Sequence, residues 1–582
     1  MKEILLTAGR FDAGKWTFDT QFLPNMGMPY LLAHGLGLPV GEARAEFTLP
    51  PGGYLLWVYT YNWVAPWKPE YAPGRFALTL DGEEIGIFGD APATWGWVPG
   101  GRVELKGETH RLTLRDLTGF AGRCGGVFLT QREGFTPPPG AAAAAFWKQQ
   151  TQTGEPEALS CDFAVCGGGI AGICAAVMAA RQGLDTVLVQ DRPVVGGNNS
   201  SEVRVWLGGD RNAEPFPGIG NIVGELEQER TGHYGAENRG EIYEDDRKLA
   251  LLREAGVRVL LHTAVTGVTK EGSRITSLTL RNLKKDTLQT LVAPVFADCT
   301  GDGTVGALAG AEGETTTNGH MGMTNCWYIE DTGTPQSFPA CPWAMDLKGV
   351  EFPGRGQVRD IYGGQRERSF GCWFWESGME RDPIAEAELA RDTNFRAMYG
   401  AWDAVKNTDG DYGSWRLGES CAIGGKRESR RLFGDVILTK AEVYAGRVYE
   451  DGCVPSFWNF DVHYPDPRFY AAFHEGDGFL THDYHEQFPK PFWVPYRCLY
   501  SRNVDNLFLA GRDVSVSHDA LGTVRVMRTG GMMGEVIGMA ARFCKERAAV
   551  PREVYTRHLQ PFMAALKAIP HNGIPRPEKN RG

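Results

Sequence analysis

The stretch FAVCGGGIAGICAAVMAARQGLDTVLVQD, residues 163–191, decides the fold. It begins with a short apolar run, continues through three consecutive glycines into a small-residue helical segment, and ends in a second apolar run at 186–189. This order predicts a β-α-β unit of about thirty residues. The spacing G-x-G-x-x-G at 167–172, between a strand and a helix, is typical of a loop that binds the pyrophosphate of a dinucleotide.

Each glycine of this loop has a separate physical role. Gly167 permits a tight turn, Gly169 lets a pyrophosphate approach the backbone, and Gly172 allows the helix to pack closely on the strand. Ile170 and Ala171 begin the helix, whose N-terminus offers free N–H groups and a partial positive charge to phosphates. The loop is therefore predicted to bind a ligand rather than to form a plain glycine turn.

The end of the second strand is where an acidic side chain usually binds a ribose hydroxyl. Gln190 occupies this place, and Asp191 and Arg192 follow it. A glutamine amide can donate and accept hydrogen bonds to a ribose, so the sequence leaves open whether Gln190 or Asp191 makes the contact.

Upstream of this unit, residues 1–135 predict an all-β module. Short apolar runs alternate with turn signals at a spacing typical of a β-sandwich. Residues 136–159, rich first in proline and then in alanine, predict an interdomain linker. Strand alternation places four aromatic residues on one face, so part of that face would bind a sugar ring or contact the catalytic part of the chain; a plain sandwich core is the alternative. The four are Trp57, Tyr59, Tyr61 and Trp63.

Composition argues against several classes of function. The chain has 582 residues and a net charge of −11 without a basic run, which argues against nucleic acid or an anionic membrane as the main partner. The twelve cysteines form no CxxC pair, and the spacing of His482 and His485 is poor for a metal, so no metal site is expected. No apolar run reaches the ~18 residues of a membrane span. We expect a cytoplasmic protein.

Three further segments accompany the glycine-rich loop: ADCTGDG at 297–303, RESRR at 427–431 and AGRDVS at 510–515. In this order they resemble segments of the bacterial FAD-dependent oxidoreductase family, which is related to the fumarate reductase and thiazole-synthase flavoproteins. One departure is Cys299, where alanine is usual. The resemblance implies an α/β chain with a Rossmann-like FAD domain of the glutathione-reductase type, an inserted substrate domain and a preceding all-β sandwich. FAD is the implied cofactor.

The resemblance also implies a division of the chain. The FAD-binding domain would comprise residues 160–312 and 491–550, with the substrate domain inserted at 313–490. Residues 551–582 would form a C-terminal helix and tail. No second dinucleotide fingerprint is visible, so the electron donor or acceptor would come from outside the chain.

The family's cofactor contacts are carried over position by position. The backbone near Val265 would meet adenine, and Asp513 would accept a hydrogen bond from the ribityl or phosphate region. Gly522 and Thr523 would open a helix whose N-terminus faces the flavin pyrimidine, where Arg525 would add a charge or form a surface salt bridge. The implied set is Gly167, Gly169, Ile170, Ala171, Gly172, Gln190, Asp191, Arg192, Gly197, Asn198, Val265, Thr300, Gly301, Gly511, Asp513, Gly522, Thr523 and Arg525.

Oxidation of a C–H bond by a flavin usually needs a base, and histidine suits that role near neutral pH. His518 lies just before the expected flavin-facing helix, and His463 lies in a segment, FDVH, that resembles a D-x-H segment of the same family. Glu202 and Arg204 follow the glycine pair near 197 and would approach the flavin's reactive edge. For each histidine, a hydrogen-bonded structural role is the alternative.

Arg427 and Arg430 would bind a carboxylate or phosphate of the substrate, although Glu428 is an obvious neutralising partner. The leading hypothesis is hydride transfer between FAD and an alcohol carbon of a polyhydroxylated or glycoside-like small molecule. One alternative is reduction of an activated C=C bond in an organic acid. A second alternative is a carbohydrate-binding protein on a degenerate flavoprotein scaffold.

Overall fold

The computed structural model describes residues 2–151, 154–230, 234–356, 365–470 and 477–575. Residues 3–130 form an all-β module, confirming a β-rich N-terminal region. Its strands are β1 Glu3–Thr7, β2 Thr17–Asp19, β3 Tyr30–His34, β4 Glu42–Thr48, β5 Gly52–Thr60, β6 Phe76–Leu80, β7 Glu83–Phe88, β8 Gly96–Leu105, β9 Thr109–Asp116, β10 Phe120–Cys124 and β11 Gly126–Thr130; a short helix α1 spans Leu23–Met26.

The module's strands form sheets of order β1-β11-β5-β8, β10-β3-β2 and β4-β9-β6-β7. Simple alternation explains how these sheets bury their inner faces. In β4, Ala43, Ala45 and Phe47 are buried while the residues between them are exposed. The inward-facing side chains of the sheets meet in one apolar core of the module.

Two parts of the segment predicted as a linker, 136–159, have regular secondary structure. Its alanines form helix α2, Ala141–Thr151, because alanine has the highest helix propensity of all residues. This helix buries Phe146 and Trp147, and strand β12, Glu157–Ser160, then pairs in parallel with residues 289–292. The Pro- and Ala-rich composition of this segment therefore does not correspond to a linker without secondary structure.

The glycine-rich loop lies where the sequence placed it, between a strand and a helix of a parallel sheet. The elements in this region are β13 Phe163–Cys166, α3 Ile170–Arg181, β14 Thr186–Val189, α4 Asn221–Glu225, α5 Asp245–Glu254, β15 Arg258–Leu260, β16 Thr263–Glu271, β17 Arg274–Asn282, β18 Leu288–Val292, β19 Val295–Asp298 and α6 Thr304–Ala309. The parallel sheet has the order β15-β14-β13-β19 and is completed by a strand near the C-terminus at 507–509. The predicted α/β class is confirmed.

The following region is built from short pieces around one long helix. Its elements are β20 Gly313–Thr315, β21 Met323–Thr324, β22 Trp327–Asp331, α7 Ala387–Asp403, β23 Trp415–Ser420, β24 Gly425–Lys426, β25 Arg430–Leu432, α8 Lys440–Tyr444, β26 Gly452–Ser456, β27 Phe460–Pro465, α9 Pro467–Tyr470, β28 Thr481–Glu486 and β29 Phe492–Pro495. The strands pair two by two, as in β21 with β24 and β27 with β28.

The C-terminal part returns to the parallel sheet through β30, Leu507–Leu509, and continues in α10 His518–Val524, α11 Met527–Arg547 and α12 Pro551–Lys567. The single helix predicted from about residue 521 is in fact two, separated at Val526, whose φ/ψ of −63°/143° is extended. The predicted tail beyond residue 575 lies outside the described residues. Within the described ranges, no helix combines the length and apolar character needed to cross a bilayer.

The aromatic face of the module is buried against the rest of the chain. Tyr59, Tyr61 and Trp63 are buried and Trp57 is half-buried. Together with Phe146 and Trp147 of α2 and aromatic residues of 313–490, they form one apolar cluster. The ring of Trp63, for example, lies 5.4 Å from that of Trp343. This face contacts residues of the 313–490 region and is not an open platform for a sugar.

Candidate functional site

A cavity of about 580 Å³ lies where the parallel sheet, the inserted region and the module meet. The carboxyl ends of β13, β14 and β19 open onto it, as expected for a ligand site in a parallel α/β sheet. Most cofactor residues predicted from the sequence line this cavity: Gly167, Gly169, Ile170, Ala171, Gln190, Asp191, Arg192, Gly197, Asn198, Val265, Thr300, Gly301, Gly511 and Arg525.

The glycines of the loop are required for different steric reasons. At Gly167, φ is +100° and a Cβ would collide with the carbonyl oxygen of Cys299. At Gly172, a Cβ would collide with the carbonyl oxygen of Gly167, so this residue sets the helix–strand contact and lies behind the cavity wall. At Gly169, a Cβ would meet nothing nearer than 4.0 Å and would project into open space. Gly169 therefore leaves room for a ligand rather than for the protein.

Hydrogen bonds that the sequence does not reveal distinguish Gln190 from Asp191. The Gln190 side chain accepts a hydrogen bond from the Gly168 N–H at 2.7 Å and donates one to the Val194 carbonyl at 3.2 Å. Its amide therefore holds the glycine-rich loop in place. Asp191 is left as the cavity-lining carboxylate, and burial raises its pKa. Of the two residues left open, Asp191 is the better placed for a ribose.

Glu202 and Arg204, predicted to approach the flavin, contact other protein groups and not the cavity. Glu202 lies 3.5 Å from the Arg192 guanidinium, and burial raises its pKa to about 7. Arg204 forms an ion pair with Glu419 and donates to the Ser201 carbonyl at 2.9 Å. Neither lines the cavity, because the chain turns away from it after Asn198.

Gly522 and Thr523 also differ from their predicted role. They lie inside α10, where Thr523 donates to the Trp458 carbonyl at 2.7 Å. The helix end on the cavity belongs to α11, which contributes Met527 and Gly530 to the lining. The break at Val526 moves the start of the long helix several residues further along the chain, and periodicity alone did not show it.

Asp513 lies behind the cavity wall rather than in it. It is fully buried, and among the described residues neither carboxylate oxygen accepts a hydrogen bond. Burial and the nearby Asp298 carboxylate raise its pKa well above the usual range. A proton on Asp513 relieves both penalties, since a neutral carboxyl avoids the cost of burying a charge.

Basic side chains surround the cavity and were mostly missed by the sequence analysis. Lys426 pairs with Asp302 at 2.7 Å, and Arg512 lies 3.3 Å from the same carboxylate. Burial alone would raise the pKa of Asp302, but these two cations hold it below the usual value. Arg430 donates to the carbonyls of Asp302 and Gly303, as well as lining the cavity. Such a donor set suits a pyrophosphate.

A cluster of ionisable groups adjoins the cavity through Arg525. Arg525 lines the cavity, and its guanidinium lies 3.3 Å from Asp461, whose other oxygen is 3.2 Å from Nε2 of His463. His463 Nδ1 contacts Glu376 at 2.6 Å, and Arg427 lies 3.3 Å from the same carboxylate. All five side chains are buried or nearly so.

The carboxylates of this cluster are held ionised. Burial opposes the charge on Glu376, but the Arg427 guanidinium and His463 lower its pKa to about 2. Burial also opposes the charge on Asp461, yet Arg525 and His463 hold its pKa below the usual range. Arg427 is therefore paired within the protein and does not reach the cavity, contrary to its prediction as a substrate-binding residue.

His518 belongs to a separate pair. Its Nδ1 lies 2.8 Å from Glu428, which also binds Arg431. Although burial lowers the pKa of His518, the hydrogen bond to Glu428 raises it above the usual value. Neither His518 nor Glu428 lines the cavity. The two histidines predicted as candidates are thus separated by the structure, and His463 has the shorter chain of contacts to the cavity.

The residues present fit FAD. The open space at Gly169, the N-termini of α3 and α11, the carboxylate of Asp191 and the basic side chains match a dinucleotide's pyrophosphate and ribose. Lys426 was within reach of the sequence analysis, because it directly precedes the RESRR segment. Residues contributed by the module, such as Gln21 and Asn25, carried no motif.

The match to a protein-family model supports this assignment. A family model described as FAD dependent oxidoreductase matches residues 162–563. A search of curated proteins gives no match. Among solved structures, a geranylgeranyl bacteriochlorophyll reductase-like protein from Thermoplasma acidophilum is 13% identical, with a TM-score of 0.32, over 70% of this chain and 84% of that chain.

Two other solved structures cover different parts of the chain. The apo Sdh1 complex of Mycobacterium smegmatis is 13% identical over 67% of this chain and 69% of that chain, with a TM-score of 0.31. A family 35 carbohydrate binding module from Clostridium thermocellum is 13% identical over 23% of this chain and 100% of its own, with a TM-score of 0.19. At these TM-scores neither likeness carries a functional argument.

Proposed function

This chain belongs to the FAD dependent oxidoreductase family, and we propose that it transfers a hydride between FAD and an alcohol carbon of a neutral, polyhydroxylated small molecule. FAD supplies the hydride acceptor or donor when bound. The protein's own part is to exclude water, to orient the hydroxyl and to hold its proton.

The observation that carries this proposal is the contact of Arg525 with both the cavity and Asp461. It places Asp461 and His463 directly behind one wall of the cofactor cavity. In the oxidation direction, a hydroxyl proton would pass to this pair as the carbon loses its hydride. His485, exposed and 3.9 Å from Asp461, provides an outlet for that proton towards solvent.

The charge balance of the cluster favours an uncharged substrate. Two carboxylates, Glu376 and Asp461, face two guanidinium groups, Arg427 and Arg525, so the protein's charges already compensate one another. Of the two arginines invoked for reduction of an organic acid, Arg427 is paired with Glu376, whereas Arg430 lines the cavity and donates to backbone carbonyls. That alternative therefore depends on Arg430, which lies among the basic residues that suit the pyrophosphate of FAD.

Aromatic residues beside Asp461, and not those of the N-terminal module, support a polyhydroxylated substrate. The Trp458 indole N–H donates to Asp461 at 2.9 Å, and its ring lies 6.2 Å from that of Trp206. Both indoles are half-buried. A half-exposed ring next to a carboxylate offers an apolar face and a hydrogen-bond acceptor, which together suit a sugar or polyol.

Anaerobic mixing of the FAD-loaded protein with glycosides, polyols and unsaturated acids tests the proposal. We expect a neutral polyol or glycoside to bleach the flavin. His463→Gln should slow bleaching by about 10²–10⁴-fold, the usual worth of general base catalysis, while His518→Gln slows it far less. The FAD content and unfolding temperature of both variants control for misfolding. Asp461→Asn is a second variant that tests the same proton path through Asp461 and His463.

Two results would contradict the proposal. If no polyol or glycoside bleaches the flavin and an unsaturated acid reoxidises it once reduced, the reaction is a C=C reduction. If His518→Gln abolishes bleaching while His463→Gln leaves it unchanged, the proton acceptor is His518.

A further inference from the structure

The cofactor cavity has a wall that none of the FAD motifs provides. It comes from the N-terminal module and helix α2, which contribute Gln21, Leu23, Pro24, Asn25, Gly27, Ala144 and Lys148 to the lining. Gly27 sits directly against Ala144, since a Cβ at Gly27 would lie 2.8 Å from the Ala144 methyl group. Residues 20–27, which include α1, and helix α2 therefore form one continuous surface, here named the module wall.

The module wall is fastened to the catalytic part of the chain by specific hydrogen bonds. The Gln21 amide accepts from the Gly424 N–H at 2.9 Å and donates to the Gly424 carbonyl at 2.7 Å. Gly424 immediately precedes β24, which carries Lys426 of the cavity. The Asn25 amide donates to the carbonyls of Ile384 and Ala385 at 2.8 and 2.9 Å.

A buried ion network keeps the module in this position. Arg123 of β10 pairs with Asp392 of α7, and Arg391 of α7 pairs with Asp19, which directly precedes the module wall. These four side chains are fully buried. Separating the module would break these ion pairs and expose the shared apolar cluster to water, so the module is not a loosely tethered accessory.

We propose that the N-terminal module is part of the FAD site, and that Gln21 and Asn25 act as positioning residues that close the module wall over the bound cofactor. The wall covers the same cavity that the glycine-rich loop and Gly511 open onto. Release of FAD then requires either the hydrogen bonds between Gln21 and Gly424 or those donated by Asn25 to break. The inference depends on the cofactor and not on the identity of the substrate.

FAD release from the intact, loaded protein tests this role without any substrate. The change in flavin fluorescence after dilution reports the dissociation rate. Gln21→Ala and Asn25→Ala should each release FAD faster, by about tenfold where two hydrogen bonds are lost. Gln131→Ala is the matched control, because Gln131 is also a module glutamine whose amide accepts a hydrogen bond, from the Lys2 N–H, away from the cavity.

Unfolding of the apoproteins shows whether a variant releases FAD faster because the module wall is weakened or because the whole protein is less stable. We expect apoprotein unfolding temperatures of Asn25→Ala and Gln131→Ala to match the wild type, since neither side chain is buried. Faster release in either cavity variant with unchanged apoprotein stability supports the inference. Release rates equal to that of Gln131→Ala in both cavity variants would overturn it, whatever the outcome of the substrate assays.

Discussion

At the scale of single residues, Gly169 differs from the other glycines of the loop because the cofactor, and not the fold, requires a glycine there. Gly167 and Gly172 are glycines because the protein itself would collide with a side chain there. Gly169 faces open space, since the nearest atom to the position that a Cβ would take is the Cα of Gly197, 4.0 Å away. A side chain at 169 is thus tolerated by the folded chain and not by a ligand.

Gly169→Val should therefore abolish FAD binding while leaving the fold intact. The valine occupies the space through which a pyrophosphate approaches the backbone. Visible absorbance of the purified protein measures occupancy, and apoprotein unfolding measures the fold. Gly413→Val is the control, because Gly413 also has open space around its Cβ position and lies away from the cavity. Full FAD content in Gly169→Val would show that this loop is not the pyrophosphate site.

At the scale of elements, the contact between α3 and α11 positions both helix N-termini at the cavity. Gly534 and Gly538 of α11 face Ala171 and Ala175 of α3 so closely that a Cβ at either glycine would collide with the α3 backbone. Glycines spaced one turn apart let two helix backbones approach more closely than side chains normally allow. The position of Met527 and Gly530 at the cavity depends on this approach.

Substitutions along α11 should separate packing from cofactor binding. Gly534→Ala should destabilise the apoprotein by about 1–3 kcal/mol, because overpacking forces the helices apart. Gly530→Ala should leave the apoprotein stable, since a Cβ there meets nothing nearer than 3.7 Å, but it should weaken FAD binding because Gly530 lines the cavity. Chemical unfolding and FAD titration measure the two effects. Equal effects of both variants on apoprotein stability would refute this division.

A second element contact, between β3 and α7, should make the module's docking sensitive to acid. The ring of His34 stacks on Phe395 at 4.3 Å, and both ring nitrogens are buried. Burial, with the charges of Arg391 and Arg123, lowers the pKa of His34 to about 3. The unfolded chain, with a histidine pKa near 6.5, therefore binds the extra proton first as pH falls.

Stability should consequently be lost as pH falls below about 6.5, by about 1–2 kcal/mol at pH 5 from His34 alone. His34→Phe keeps the stacking and removes the titration, so its stability should change less between pH 7 and pH 5 than that of the wild type. Denaturant unfolding at the two pH values measures the difference. An identical loss in both proteins would show that His34 does not contribute.

At the scale of the whole molecule, the module and the catalytic part share one core. Removing the module exposes Trp343, Phe395 and other aromatic residues of the shared cluster. It also leaves Arg391 and Asp392 without Asp19 and Arg123. A contiguous apolar patch exposed in this way favours aggregation.

Deletion of residues 1–135 should therefore give protein that aggregates, although no FAD motif lies in the deleted part. Co-expression of 1–135 with the remaining chain should restore recovery of FAD-containing protein, because the interface is formed by specific contacts. Recovery after centrifugation and flavin absorbance measure both outcomes. A truncated chain that stays dispersed and retains FAD would show that the shared cluster is dispensable.

The sequence by itself determined the β-α-β unit and its dinucleotide-binding loop, because these depend on local spacing: a strand, a turn that needs glycine and a helix within about thirty residues. The resemblance of four short segments to the FAD-dependent oxidoreductase family then implied the cofactor, and with it Val265, Thr300, Gly301 and Gly511, which line the cavity. Local patterning also indicated the β-rich module, whose strands alternate buried and exposed residues.

Only the tertiary structure decided which charged and aromatic groups meet. The Gln190 amide bonds the glycine-rich loop, and Arg427 pairs with Glu376 from a segment about fifty residues earlier. The aromatic face of β5 is covered by the inserted region, and Gln21 reaches Gly424 across some four hundred residues. Pairing partners so distant in the chain leave no periodic signal, since hydrogen bonds and ion pairs depend on positions in space and not on spacing in sequence.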